Sequence, residues 1–219
     1  DHRLPREVEV VREDDDARPG VSDGGARSRP EVEPRVRRAG LIAWPDGVRE
    51  RLSGAPVDAA PQVVIHAANP PYNRWASEAL PLLREAMDIA EQHGALLMLP
   101  GNLYNVVSPL PARVDEHTPL QPNSRKGRLR QAMEDEMADR AAGGLRSVVI
   151  RAGDFFGGPG RGSWFDTVIV KSLRRGKLVY PGPLDVPHAW AYLPDLAQVF
   201  VQVAAQHRSW QGHRQLPFG

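Results

Sequence analysis

From Gln62 onward, short apolar runs alternate with longer segments of helical period, and this alternation limits what the chain can fold into more than any other feature. Val63-Val64-Ile65-His66-Ala67-Ala68 is nearly continuous in apolar side chains, as expected for a parallel strand covered on both faces. Asn69-Pro70-Pro71 breaks it. Over 75–93, Leu80, Leu83, Met87 and Ala90 recur at helical spacing, and Gly94 suits a helix stop. A second buried strand is expected at 95–99, a helix at 124–142 closed by Gly143-Gly144, and a third strand at 145–151. Strands separated by helices of this length are joined by crossovers and lie parallel. The expected class is α/β, three layers with helices on both faces of a parallel sheet.

The pattern continues with a helix near 164–174, a strand at 177–180, an extended piece around 189–193 and a helix over 194–206. Pro194 suits a first helical turn, where its missing N–H would have no partner. Residues 1–60 read differently. Apart from Val8 to Val11, apolar residues show little period there, and Asp14-Asp15-Asp16 and Gly24-Gly25 favour loop. Two units are expected: an irregular segment over 1–60 and one α/β domain over 61–219.

Composition excludes several classes of function. With 28 basic and 27 acidic residues the net charge is +1, too small a field to gather nucleic acid or anionic lipid. There is no cysteine, which rules out disulfides and thiolate chemistry and is compatible with a reducing cytoplasm. The seven histidines never fall at i, i+4, so no metal is expected. No apolar run approaches the roughly 20 residues that span a bilayer, and residues 1–13 have no signal-peptide core. A cytoplasmic protein with neither nucleic acid nor membrane as partner is expected.

Four segments, in order, carry a resemblance. They are Val63 to Ala68; Glu116-His117-Thr118-Pro119 through Pro122-Asn123-Ser124 to Gly127 and Glu134; Val149-Ile150-Arg151-Ala152-Gly153-Asp154-Phe155-Phe156-Gly157; and Tyr192-Leu193-Pro194-Asp195-Leu196-Ala197. Across about residues 62–207 the chain resembles the NAD(P)-dependent epimerase/dehydratase family of extended short-chain dehydrogenases/reductases. The resemblance implies a Rossmann-type three-layer parallel sheet and NAD or NADP as cofactor. The substrate it implies is a small carbonyl or hydroxyl compound or a nucleotide sugar. It is compatible with a homo-oligomer. The opening βαβ unit with its G-x-G-x-x-G turn has no counterpart in residues 1–60, so that unit is expected to be missing or degenerate.

Open α/β sheets bind ligands at the carboxyl ends of their strands. The cofactor is therefore expected along Ala67, Ala68 and Asn69, along Pro100, Gly101 and Asn102, and along Ala152, Gly153, Asp154 and Phe155, with Lys126 beside them. Ala67 and Ala68 also suit the end of a buried strand with no ligand. The family's chemistry depends on a serine and a Tyr-x-x-x-Lys pair one helical turn apart. Alignment on Ser124 and Gly127 puts Lys126 at the tyrosine position, Arg130 at the lysine position and Pro100 near the serine position. This Arg-Lys-Gly version resembles an atypical branch of the superfamily and leaves Lys126 and Arg130 as the catalytic candidates. The basic face Arg125, Lys126, Arg128, Arg130 also suits a solvated surface or bidentate contact with cofactor phosphates. Asp195 is expected to hold the start of its helix. The run Gly157-Gly158-Pro159-Gly160-Arg161-Gly162-Ser163 lacks a phosphate-loop lysine before Ser163 and reads as a loop over the site.

The functional expectation is an NAD(P)-binding reductase-like or epimerase/dehydratase-like protein. A non-catalytic dinucleotide sensor and an inactive gene fragment are the alternatives. Family-like sequence begins abruptly near Gln62 and the chain stops at Leu216-Pro217-Phe218-Gly219, so an incomplete family member of low stability and little turnover is expected. Its leader composition matches GC-rich DNA read in a shifted frame, or a disordered extension.

Overall fold

The three apolar runs become adjacent parallel strands. The structure is a computed structural model describing residues 42–43, 50–51, 61–71, 73–158 and 162–219. The expectations placed on the remainder of residues 1–60, and on residues 159–161 of the glycine-rich run, lie outside the described residues. A short antiparallel pair joins β1 (Ile42–Ala43) and β2 (Glu50–Arg51). Then follow β3 (Val63–Ile65), α1 (Trp75–His93), β4 (Leu96–Gly101), α2 (Arg125–Ala141), β5 (Arg146–Arg151), β6 (Asp154–Phe156), β7 (Trp190–Tyr192), α3 (Leu193–Ala205) and β8 (His213–Pro217). The main sheet has the order β3-β4-β5-β8, with every pairing parallel.

The continuous apolar strands follow from burial on both faces. Side chains alternate across a strand, and on β4 Leu97 and Leu99 enter the core cluster shared with Leu83, Met87 and Ala90 of α1 and Met133 and Met137 of α2. Leu96 and Met98 enter the cluster containing Leu196, Phe200 and Val203 of α3. The sheet is thus the middle of three layers, as the sequence pattern requires. Gly94 ends α1 in the left-handed conformation at φ 59°, and the Ala95 N–H donates to the Ala90 carbonyl across it. Ser124 caps α2, its Oγ accepting from the Gly127 N–H at 3.0 Å.

Three elements differ from expectation. The helix expected near 164–174 is instead a π-helical turn, Phe165–Ile169, and a 3₁₀ turn, Leu173–Arg175. Thr167-Val168-Ile169-Val170 is a run of β-branched residues, which disfavours a regular helix. No strand forms at 177–180, because the Val179 N–H donates to the Ile169 carbonyl while β6 and β7 pair directly with each other. The residues at 213–217, unassigned by the sequence pattern, form β8 in parallel with β5. Only Leu216 of β8 packs against the apolar cluster, so the strand carries little hydrophobic signature.

Candidate functional site

β3, β4 and β5 end on one edge of the sheet. The His66 N–H donates to the Met98 carbonyl, and the Ala152 N–H to the Gly101 carbonyl. The residues just beyond, 67–69 after β3, Asn102 after β4 and 152–153 after β5, therefore lie along that edge with Pro100 and Gly101. Ala67 and Asn69 are exposed, Ala68, Pro100 and Asn102 half-buried, and Gly101 and Ala152 buried.

Two of the small residues are held by close backbone packing. A Cβ at Gly153 would lie 2.0 Å from the Ala189 carbonyl oxygen, so this glycine lets the chain leaving β5 cross the chain entering β7. A Cβ at Gly127 would lie 2.1 Å from the Tyr104 carbonyl oxygen, so α2 begins directly against the loop that follows β4.

That docking assembles a cationic and aromatic cluster. The Lys126 ammonium lies 5.9 Å from the ring centres of both Trp75 and Tyr104, and the Arg130 guanidinium 4.8 Å from that of Trp75. The two rings are 6.3 Å apart. These distances are in the range of cation–π attraction. Lys126 is exposed and Arg130 half-buried, whereas Arg125 and Arg128 remain on the exposed face of α2. Only the tertiary fold brings Trp75 and Tyr104 to Lys126.

His66 follows β3 directly and lies beside this cluster. Burial, and then the positive charge of Arg130, lower its pKa to about 4, so the ring is neutral at physiological pH. The unfolded chain takes up the proton near the ordinary histidine value of about 6.5, so the stability tied to the neutral ring is complete above that pH and is lost as the pH falls through 4. Burial also lowers the pKa of His213, with the charge of Arg151 next in effect. Urea midpoints are expected to drop between pH 7 and 5, His66 alone accounting for about 2 kcal/mol by pH 5. His66→Leu should flatten that slope, and parallel curves for the two proteins would refute the assignment.

Arg151, at the end of β5, is 4 % exposed and joins four elements. Its guanidinium donates to Glu134 Oε2 at 2.5 Å and Oε1 at 3.3 Å, to Asn105 Oδ1 at 2.7 Å, to the Asn102 carbonyl at 2.6 Å and to Gln215 Oε1 at 2.9 Å. It is a structural hub beneath the edge, holding α2 and the loop after β4 in register with the strands.

Asp154 and Phe155 start β6, which pairs in parallel with β7. The Asp154 carboxylate lies 2.8 Å from His188 Nε2, and His188 Nδ1 lies 2.9 Å from the Tyr180 hydroxyl. Neither His188 nor Tyr180 belongs to a spacing motif. The available signal was the density of aromatic residues from Trp164 to Tyr192, which the sequence pattern alone does not connect. A hollow of about 300 Å³ opens beside this group, lined by Leu178, Tyr180, Pro183, Leu184, Val186, His188 and Trp190. Another, of about 460 Å³ at 205–209, lies near the amino ends of β5 and β8, away from the ligand-binding edge of such sheets.

No family model matches the sequence, and no curated protein matches it. Solved structures do match in fold. The UDP-glucose 4-epimerase of Brucella ovis in complex with NAD aligns with a TM-score of 0.59 at 19% identity, over 73% of this chain and 57% of that one. The dTDP-glucose 4,6-dehydratase of Streptomyces venezuelae with NAD bound gives 0.57 at 16% identity, over 72% and 52%. The UDP-N-acetylglucosamine 4-epimerase of Bacillus cereus gives 0.55 at 13% identity, over 72% and 57%. The chain spans little more than half the length of these proteins. At such identities the likeness is one of fold, and it agrees with the parallel α/β sheet: the architecture is Rossmann-like.

Proposed function

We propose that this chain binds NAD or NADP along the carboxyl edge of its sheet and serves as a reductase-like or epimerase/dehydratase-like protein. The substrate class is a small carbonyl or hydroxyl compound or a nucleotide sugar. The observation that carries the reading is the pair of cations, Lys126 and Arg130, set over Trp75 and Tyr104 beside the ends of β3 and β4. Cations and aromatic faces in one cluster fit a ligand that combines phosphates with planar rings. NAD in the solved structures of similar fold supports the same cofactor.

In this reading Ala67, Ala68, Asn69, Pro100, Gly101, Asn102, Ala152, Gly153, Asp154 and Phe155 line the cofactor, whose nicotinamide supplies hydride chemistry when bound. Lys126 and Arg130 hold its phosphates. A second reading, a dinucleotide sensor without turnover, is favoured by Lys126 standing where the similar family has tyrosine; it has the same binding but no activity on a panel of aldehydes and sugar nucleotides.

Calorimetric titration with NAD⁺, NADH, NADP⁺ and NADPH tests the site. At least one is expected to bind, and none more tightly than about 1 μM, equivalent to about 8 kcal/mol, because the sequence holds no G-x-G-x-x-G turn to cradle the pyrophosphate. Removing both cations, by Lys126→Ala with Arg130→Ala, should weaken binding about tenfold or more, roughly 1.4 kcal/mol. No binding by any of the four at millimolar concentration would end the proposal.

A further inference from the structure

His188 is engaged through both ring nitrogens. Asp154 Oδ2 lies 2.8 Å from Nε2 and the Tyr180 hydroxyl 2.9 Å from Nδ1. A carboxylate only accepts, so these partners assign the proton to Nε2 and leave Nδ1 to accept from the Tyr180 O–H. The ring plane is fixed by stacking: Trp190 lies 4.3 Å away at 21° and Trp164 5.7 Å away at 12°. Tyr180 meets His188 edge-on at 77°. Asp154 is on β6 opposite Trp190 on β7, so the pairing of two strands sets the carboxylate against the imidazole.

The hollow beside Tyr180 is otherwise lined by Leu178, Pro183, Leu184, Val186 and Trp190. Among the described residues no lysine or arginine lines it, so it suits an apolar frame bearing an oxygen and not a phosphate.

We propose that Tyr180, His188 and Asp154 form a proton relay, with the Tyr180 hydroxyl exchanging a proton with the oxygen of a small hydroxyl or carbonyl ligand in this hollow. The proposal rests on the functional reading above for its ligand class, and it supplies the acid–base group that Lys126 and Arg130 do not need to be. When a ligand hydroxyl is deprotonated, its O–H bond breaks and its proton joins the Tyr180 oxygen. The original Tyr180 proton moves to His188 Nδ1, and the imidazolium so formed is held against the Asp154 carboxylate. The reverse sequence delivers a proton to a ligand oxygen, and no electrons are gained or lost. Tyr180 touches the ligand; His188 and Asp154 are positioning residues.

Acetylation by N-acetylimidazole, followed by peptide mass spectrometry, tests the relay without requiring a cofactor. In that reaction the acetyl C–N bond breaks, a C–O bond forms at tyrosine, and the phenolic proton passes through Nδ1 to the departing imidazole. Tyr104 and Tyr192 are more exposed, at 37 % and 43 %, and serve as internal controls. Tyr180 is expected to react about 100-fold faster than either, the low end of what a positioned base contributes. Asp154→Asn and His188→Gln should bring Tyr180 down to the control rate while the controls stay unchanged. Should His188→Gln unfold the chain, all tyrosines speed up together and Asp154→Asn decides. Equal rates at Tyr180 and the controls in the wild-type protein, or a Tyr180 rate indifferent to Asp154→Asn, overturn the relay. Millimolar cyclohexanol, an apolar ring with one hydroxyl, should slow Tyr180 alone; absence of protection overturns the hollow as its ligand site. Dinucleotide affinity does not enter these rates, so failure here and failure of the cofactor reading are separately visible.

Discussion

Glu134→Ala is expected to destabilise the protein by about 3–5 kcal/mol, the range for removing one partner of a buried ion pair. Glu134 is 2 % and Arg151 4 % exposed, so water does not replace the missing carboxylate. Asn105, Gln215 and the Asn102 carbonyl would still accept from the guanidinium, but all are neutral and the charge would be left unpaired. Such a loss is a large part of the 5–15 kcal/mol by which a domain is typically stable. The double change Glu134→Leu with Arg151→Met removes both charges and should recover most of the loss, since apolar replacement of a buried pair is often neutral or stabilising. Urea unfolding of the three proteins measures this. A Glu134→Ala loss below about 1 kcal/mol would show that Arg151 is not the hub its contacts describe.

Gly127→Ala is expected to cost about 3 kcal/mol, the upper end for overpacking. Alanine is the better helix former by up to about 1 kcal/mol, which favours the substitution in an isolated helix. Here the new Cβ would lie 2.1 Å from the Tyr104 carbonyl oxygen and 2.8 Å from Pro122 Cβ. The first obstacle is backbone, which cannot turn aside as a flexible side chain does, so the clash outweighs the propensity gain. The first turn of α2 must retreat, carrying Lys126 and Arg130 away from Trp75 and Tyr104. Thermal unfolding should show the loss of stability. Dinucleotide titration should show weaker binding if those cations hold the cofactor. An unchanged or raised melting temperature would refute the steric account.

Much of the main sheet was legible because its signals are local. The helix expected at 75–93 is α1 to the residue, since periodic apolar positions and a left-handed glycine stop both act within a few residues. The helix expected at 124–142 differs from α2 by one residue at each end, with Ser124 as its cap. Strands at 95–99 and 145–151 correspond to β4 and β5, which are apolar on both faces because helices cover both. The failures are also physical. β8 reads His-Arg-Gln-Leu-Pro, and it is a strand because β5 offers it hydrogen bonds. The segment 164–180 lacks a dominant local preference, and contacts such as Val179 with Ile169 decide its path.

The candidate site divides the same way. Because strand ends follow from strand runs, the place of residues 67–69, 100–102 and 152–155 near the carboxyl ends of parallel strands was legible in the local pattern. The sequence by itself also determined that no tyrosine stands where Lys126 does. What surrounds those residues was decided only by the tertiary structure. Trp75, Tyr104 and Lys126 belong to different segments and meet because Gly127 permits α2 to close on the loop after β4. Asp154, Tyr180 and His188 meet because β6 pairs with β7 and the intervening chain folds back. Local periodicity records which face of an element is buried, whereas a proton relay or a cation over an aromatic ring depends on contacts between distant segments, whose geometry exists only once the layers have packed.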